Sequence, residues 1–471
     1  MKGYALINDS KIQFEVSGGK HLLDYIRDDL QLKGTKEACR EGDCGSCIVL
    51  WGKQEGGVVR YRTINSCMFP VGEIQNSHIV TIEGLNGEKM TPIQQFMVVE
   101  WASQCGFCTP GFIVSMTGYF LQAKTLDVDE AIAFLGGNIC RCTGYLSIKR
   151  AMTHLCELLD QDEFRKSYQK NRVNYLIAAG FLPGYFEHIS ALISELPGED
   201  DPNPFEPENV LMAGGTDLYI QKAEIISTQE PYFILRNSLF RGIRQERDQC
   251  VIGSATTVSE LEESDLFTQI VPQFRTYSRL ISGASIRNRA TVGGNIVNAS
   301  PIGDLSILFL ALNASLKLEL NGRERIIPLK NFFLGYKKLD LYPGELVKEL
   351  MIPMAMSGHD IHFEKVSRRT HLDIASVNSA MSIRLNKGKI EEIHASAGGV
   401  GPVPMYLNGF CHHLQDNFFD EKLMETGIQL ALNEISPISD VRGSKTYKCL
   451  LLEQQLRIHF SVLAGQINKN T

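Results

Sequence analysis

A multidomain fold mixing sheets and helices is what the sequence predicts, and three observations predict it. The chain has 471 residues, too many for one ordinary core, so about three domains are expected. Two sets of four cysteines stand at different spacings, one among strand-like segments and one among helix-like segments. Downstream, strand-like runs end twice in glycine turns, at Gly214-Gly215 and at Gly293-Gly294. The composition is that of a globular protein, with 44% hydrophobic and 21% charged residues, and no apolar run reaches the length of a membrane span. A net charge of -7 argues against nucleic acid as a general partner. The N-terminal MKGYALINDSKIQFEV lacks the apolar region of a signal peptide, so a cytoplasmic location is expected. In that compartment cysteines serve as metal ligands more often than as disulfides.

Residues 1–85 read as a small mixed sheet with one helix. KGYALIN and KIQFEV form a hairpin, HLLDYIRDDL a helix, SCIVLWG and VVRYRTI a second strand pair turning at Gly56-Gly57, and HIVTIEGL a last strand. With the long loop CREGDCGSC this is a β-grasp arrangement. C-x4-C-x2-C across Cys39, Cys44 and Cys47, with Cys67 following, is the plant-type spacing for a 2Fe–2S cluster. Gly42 and Gly45 suit a backbone wrapped tightly round such a group. The alternatives are a zinc site, which more usually shows paired C-x2-C units, and reduced structural cysteines.

Residues 86–162 read as a four-helix domain. Thr91-Pro92 and Thr109-Pro110 each place an N-cap hydroxyl before a proline at the first helical position. The first helix is expected to end near Cys105. DEAIAFL should end at Gly136-Gly137, and a last helix should carry Ile148, Met152, Leu155 and Leu159. QCGFC and NICRC then lie on interhelical loops. Facing each other, those loops could present Cys105, Cys108, Cys140 and Cys142 to a second cluster, while spacing alone leaves zinc open.

Polar residues 163–175, within QDEFRKSYQKNRVNY, read as a linker, and residues 176–357 as a third domain. GEDDPNPFEPEN is an acidic, proline-rich surface loop, and VLMAGGTDLYI a strand, glycine turn and helix start of the kind that approaches a pyrophosphate. ATVGGNIVNASPIGD repeats the device, with Asp304 as a polar handle; an ordinary tight turn is the alternative at each place. Residues 358–465 form a last segment in which HFEKVSRRTHLDIASVNSAMSIRL reads as strand, charged turn and apolar run and IEEIHASAGGVGPVP as another strand and a Gly/Pro loop, with Lys365 by itself readable as a solvated charge at a strand end. His412-His413 is expected on a surface loop, and Cys156, Cys250, Cys411 and Cys449 as ordinary thiols.

GTKEACREGDCGSC, QCGFCTPG and GNICRCTGY closely resemble the cluster motifs of the molybdenum hydroxylases, the xanthine dehydrogenase and aldehyde oxidase family. The two glycine turns resemble that family's FAD domain, of the vanillyl-alcohol-oxidase type, and the last segment resembles its C-terminal α+β flavoprotein domain. The resemblance implies 2Fe–2S clusters on Cys39, Cys44, Cys47 and Cys67 and on Cys105, Cys108, Cys140 and Cys142, the second nearer a molybdenum centre. It implies FAD phosphates wrapped by Leu211, Met212, Ala213, Gly214, Gly215, Thr216, Asp217 and Leu218 and by Thr291, Gly293, Gly294 and Asn295. Asp304 then bonds the sugar-alcohol chain, with Val347 and Lys365 as further contacts. Ile281 stands where the family commonly has an aromatic residue against the isoalloxazine ring, so stacking there would be weaker. Thr370, His371 and Leu372 stand where relatives commonly have acidic residues on the nicotinamide side, a departure from the family where the electron acceptor would bind.

The family further implies an electron-transfer subunit, passing electrons from a molybdopterin-binding partner through two clusters to FAD and then NAD. Xanthine oxidation in purine breakdown is the expected reaction. An aldehyde or another N-heterocycle as substrate, and a stand-alone flavin/iron–sulfur reductase, are the alternatives, and a zinc-holding scaffold belongs to a different class. The chain ends at Thr471 without segments for molybdopterin domains, so a large partner subunit is expected, in heterodimers that pair. No acid, base or nucleophile is expected from this chain.

Overall fold

The computed structural model describes residues 1–198 and 210–467; the acidic loop expected at 198–209 lies, beyond Gly198, outside the described residues. Two compact units divide the chain, and each is described by itself. One comprises Met1–Ile234 with Gly283–Arg289, and the other comprises Leu235–Ser282 and the described residues from Ala290 onward.

The first unit opens with the β-grasp sheet. Strands β1 (Lys2–Ile7), β2 (Ser10–Glu15), β3 (Ile48–Glu55), β4 (Val58–Asn65) and β5 (His78–Val80) lie in the order β2-β1-β5-β3-β4. Only β1 and β5 run parallel, and Gly56 and Gly57, both at positive φ, make the β3–β4 turn. The helix expected at 21–30 is a single α-turn, Leu22–Asp24, continued by a π-turn, Tyr25–Asp29. Leu22, Leu23 and Ile26 are buried, which serves the core equally well in either winding.

Four helices follow, Pro92–Val99, Thr109–Gln122, Val128–Phe134 and Leu146–Leu158. Thr91 and Gln94 form the capping box that opens the first. Two expectations fail locally. The first helix stops at Val99, six residues before Cys105, and Trp101 turns the chain at φ +56°. Thr109 is already helical, and its hydroxyl bonds Ser103 at 2.7 Å instead of capping.

Residues 163–175 are not an open linker. They form most of two helices, Gln161–Lys170 and Arg172–Ala178, the first capped by Asp160. Phe164 and Leu176 belong to one apolar core that runs from Leu50 and Val80 in the sheet through Phe112, Met116 and Leu155 to Phe186. The buried Arg172 guanidinium donates to the carbonyls of Phe120, Ala123 and Phe164 at 2.7, 3.0 and 2.8 Å and lies 3.5 Å over the Phe164 ring. It caps the C-terminus of helix Thr109–Gln122 and ties that end to helix Gln161–Lys170. The segment looked polar because its outward face is charged while two residues, Phe164 and Arg172, anchor it. A short parallel pair, β6 (Leu211–Met212) with β7 (Tyr232–Phe233), and the helix Leu218–Ile226 complete this unit.

The second unit carries two antiparallel sheets. In the first, β8 (Ile243–Glu246), β9 (Gln249–Gly253), β10 (Ser315–Leu320), β11 (Arg323–Pro328) and, after the hairpin of β12 (Phe333–Gly335) and β13 (Lys338–Leu339), β14 (Leu346–Pro353) lie in the order β11-β10-β14-β9-β8. The second is a meander of β15 (Asp360–Val366), β16 (Val377–Asn386), β17 (Lys389–Gly398) and β18 (Met405–Tyr406). Helix Asp304–Ala311 is almost wholly buried and packs on β16 and β17. His412 and His413 lie on the helix Asn408–Leu414 and not on a loop, because Phe410, Cys411 and Leu414 give it a buried face. Cys156, Cys250 and Cys411 are buried free thiols and Cys449 a half-buried one. Among the described residues no helix is long and apolar enough to cross a membrane.

Candidate cluster and flavin sites

The loop from Cys39 to Cys47 is shaped by two glycines. Gly42 has φ +75°, and a Cβ there would stand 2.3 Å from Met68; Gly45 has φ +70°, and a Cβ would stand 2.5 Å from the Gly137 carbonyl. The positive φ strains any residue with a Cβ at both positions, and at Gly45 the clash is with backbone that cannot yield. The turn brings Cys47 Sγ to 3.4 Å from Cys67 Sγ, and Cys39 within hydrogen-bond reach of Cys44. Within each pair one thiol is lowered and the other raised by the shared hydrogen bond: Cys44 and Cys47 fall, Cys39 and Cys67 rise. The Glu41 amide at 3.4 Å and the Ser46 hydroxyl at 3.1 Å contact Cys39 and Cys44, as donors to negative sulfur would. Cys47 and Cys67 are buried, and His21 donates to the Cys67 carbonyl at 2.7 Å.

The second set assembles the same way from two interhelical loops. Cys108 pairs with Cys140, and Cys105 with Cys142. Burial, then the bond to Cys140, pushes Cys108 up to about 12, while the bond with Cys105 raises Cys142. Burial works to raise Cys140, but donors from Thr143, at 3.4 Å from the amide and 3.2 Å from the hydroxyl, outweigh it and lower the thiol. Cys105 and Cys142 are exposed. Among the described residues no three His, Cys, Asp or Glu side chains group round a single ion. The pairing is two and two in both sets, the ligand distribution of a two-iron cluster, whereas zinc draws its thiolates round one point. Both sets therefore fit a 2Fe–2S cluster.

The two sets touch through backbone. The Ile139 amide, beside Cys140, donates to the Cys44 carbonyl at 2.9 Å, and Asn138 Nδ2 donates to the Gly45 carbonyl at 3.3 Å. Gly111, in the helix after Cys108, must lack a Cβ because one would stand 2.3 Å from that same carbonyl.

The two glycine turns fall in different units and are built differently. In the first unit, β6 leads through Ala213, Gly214, Gly215, Thr216 and Asp217 into the helix at Leu218. Gly215 has φ +78° and lies against the Met68 carbonyl and the Tyr219 ring. Among the described residues the amides of Gly214, Gly215 and Thr216 have no hydrogen-bond partner, although both glycines are buried. In the second unit, Thr291 caps the helix Val292–Asn298 through the Gly294 amide at 3.1 Å, and the amides of Val292 and Gly293 bond Thr256 and Ser254 carbonyls at 3.0 and 2.7 Å. Those amides are spent on the fold. Asn295 Oδ1 accepts from the Ser306 amide and hydroxyl at 3.2 and 3.1 Å.

Asp304 accepts from Lys365 Nζ at 2.7 Å and from Asn378 Nδ2 at 2.6 Å, and Lys365 also reaches the Leu280 carbonyl at 2.7 Å. Lys365 is 2% exposed, so it is not a solvated strand-end charge. Ile281 and Val347 are buried in the apolar core of the same unit. In the loop of Thr370, His371 and Leu372, His371 contacts the Arg279 carbonyl at 2.9 Å and Leu372 is buried at φ +49°. Sequence reasoning did not single out Asn378, Ile139 or the Arg289–Glu73 pair. Arg289 immediately precedes the second glycine motif, but its partner lies 216 residues away.

Four domain families account for most of the chain. Residues 5–71 match the 2Fe–2S iron–sulfur cluster binding domain, 81–153 the 2Fe–2S binding domain, 184–355 the FAD binding domain in molybdopterin dehydrogenase, and 362–460 the CO dehydrogenase flavoprotein C-terminal domain. These domains place the chain in the molybdenum hydroxylase family. Within that family it is 27% identical to xanthine dehydrogenase 1 of Arabidopsis thaliana, over 90% of this chain and 36% of the relative. It is 25% identical to aldehyde oxidase 1 of Rattus norvegicus, over 94% of this chain and 38% of the relative. The chain thus spans little more than a third of the length of these relatives. The solved quinoline 2-oxidoreductase of Pseudomonas putida 86 shares the fold over 55% of this chain and 91% of that one, with a TM-score of 0.50 and 22% identity.

Proposed function

We propose that this chain is the electron-transfer subunit of a molybdenum hydroxylase. The observation that carries the reading is the pair of four-cysteine sites, each divided two and two and joined by the Ile139-to-Cys44 hydrogen bond. Cys39, Cys44, Cys47 and Cys67 would hold one cluster and Cys105, Cys108, Cys140 and Cys142 the other. The residues from Leu211 to Leu218, whose turn leaves the Gly214, Gly215 and Thr216 amides unpartnered among the described residues, would serve the FAD pyrophosphate. Thr291, Gly293, Gly294, Asn295, Asp304 and Lys365 would serve FAD through side chains and close approach and not through turn amides. When bound, iron–sulfur clusters carry electrons singly and a flavin collects them in pairs for an acceptor such as NAD. The chain's own part is to fix those groups, to donate hydrogen bonds to sulfur from Glu41, Ser46 and Thr143, and to shield the first site from water.

The second site supports a partner. Val98, Val99, Trp101, Phe107 and Leu146 are exposed apolar side chains beside Cys105 and Cys142, Trp101 at 83%. Such a concentration round exposed ligands suits a surface covered by another chain. We assign that place to a molybdopterin-binding subunit, xanthine as its first-choice substrate and NAD as acceptor. The similar identity to an aldehyde oxidase keeps an aldehyde or another N-heterocycle as the second reading.

Native purification tests this. A molybdopterin-containing chain should co-purify in constant ratio, and Cys142→Ser should remove one iron signal, stop substrate-dependent flavin reduction and leave NADH-dependent flavin reduction intact. Unchanged substrate-dependent reduction in Cys142→Ser would refute the wiring.

A further inference from the structure

The first unit contains a buried ion pair whose purpose is not explained by packing alone. Arg289 NH1 lies 2.8 Å from Glu73 Oε2, and both side chains are 4% exposed. Glu73 belongs to the β-grasp domain, six residues after Cys67, while Arg289 ends Gly283–Arg289, the segment beyond Ile234 that joins this unit. The neighbouring Asn288 fastens that segment, donating to the Thr63 carbonyl at 2.8 Å. The guanidinium lies 4.6 Å over Phe69 and 5.6 Å over Trp51. A buried pair of this kind contributes little net stability over an apolar replacement, because desolvation offsets the attraction.

What the pair does touch is the first glycine turn. Arg289 Nε donates to the Gly214 carbonyl and NH2 to the Ala213 carbonyl, both at 3.4 Å. All peptide bonds here are trans. In a trans peptide the C=O and the following N–H point in opposite directions. Holding the Ala213 and Gly214 carbonyls on the arginine side therefore turns the Gly214 and Gly215 amides to the opposite side, where no protein acceptor meets them among the described residues. Buried amides left without a partner are rare unless a ligand satisfies them. The arginine itself is neutralised by Glu73 and stands behind the peptide planes, so its effect is to orient dipoles and not to supply charge to the ligand.

We propose that Arg289, held by Glu73, is a positioning residue that sets the Gly214–Gly215 amides for the pyrophosphate of a dinucleotide. The inference rests on the flavin reading above and names the part of the chain that fixes its phosphate loop. It places control of flavin affinity in a carboxylate of the iron–sulfur domain.

The test is FAD binding to flavin-stripped protein, followed by quenching of flavin fluorescence, with iron per chain measured on the same sample. Arg289→Lys keeps a cation for Glu73 but loses the fork that holds both carbonyls, and should weaken FAD about 100-fold. Glu73→Met/Arg289→Leu removes the pair and fills its space with apolar atoms, so the fold and the iron content should stay at wild-type values while FAD affinity drops by the same order. ADP, used as a competitor, should weaken in parallel, since it carries the pyrophosphate without the flavin ring. Wild-type FAD affinity in a double variant with full iron would show a purely structural pair and overturn the clamp alone. A wild-type protein that takes up no FAD would overturn the flavin reading, and the clamp with it.

Discussion

The two four-cysteine sites use the same ligands in the same two-and-two pairing and differ in what surrounds them. The first is enclosed: Cys47 and Cys67 are 2% and 1% exposed, beneath a loop closed by Gly42 and Gly45. The second is open: Cys105 and Cys142 are exposed, and Gly106 and Gly144, at φ +82° and +66°, have nothing within 4 Å of where a Cβ would be. Reduction potential depends on hydrogen bonds and solvent exposure as well as on ligand identity. Identical thiols can therefore make unequal electron carriers. On the function proposed above, the open site is the one that a partner would cover.

The largest test of this contrast is ligand removal. Cys47→Ser and Cys142→Ser should each halve the iron per chain, but only the first should also weaken the β-grasp domain, seen as a lower unfolding midpoint. Equal loss of stability from both would mean that the second site is as much part of a core as the first. Next, in cluster-free protein, Cys105 and Cys142 should be alkylated about 100-fold faster than Cys47 and Cys67, because the buried pair reacts only through opening of the fold. Peptide mass spectrometry against time would read this.

Glycine replacement sharpens the comparison further. Gly45→Ala forces a Cβ against Gly137 and Asn138 at positive φ and should cost about 3 kcal/mol. Gly106→Ala meets only the conformational penalty and should cost about 1 kcal/mol. Denaturant titration would separate them, and a larger cost at Gly106 would reverse the assignment of which loop is packed.

The smallest effect is a pH dependence. Burial holds His78 in the β-grasp sheet at about 3, below its ordinary 6.5, and its ring bonds Tyr61 at 2.8 Å and the Asn8 carbonyl at 2.7 Å. The unfolded chain takes up a proton below 6.5 while the folded one does not. The contribution is therefore full above that value and declines as pH falls towards about 3. One unit below 6.5 should lose about 1 kcal/mol. His78→Gln should flatten that loss between pH 7 and 5.5, and an unchanged slope would assign the acid sensitivity elsewhere.

The cysteine sets were legible because spacing carries ligand chemistry directly, and the β-grasp and four-helix domains because alternation and helical periodicity track burial. The linker was misread. Its surface face dominates the composition of 163–175, and the two residues that anchor it, Phe164 and Arg172, give no periodic signal. Both glycine turns read alike in sequence, yet the amides of one are open and those of the other capped by Thr291 and taken up by Ser254 and Thr256. Which amides are spent depends on strands distant in the chain. The Arg289–Glu73 pair and the Lys365–Asp304 pair were hidden for the same reason, being contacts between residues 216 and 61 positions apart.

The most direct measurement is iron, zinc, sulfide and FAD per chain on natively purified protein, with low-temperature EPR after reduction. The account predicts about four irons, one FAD and two distinguishable 2Fe–2S signals, the more solvent-sensitive one lost in Cys142→Ser. Two irons with one zinc would contradict it, making Cys105, Cys108, Cys140 and Cys142 a structural site and removing the second carrier from the proposed path.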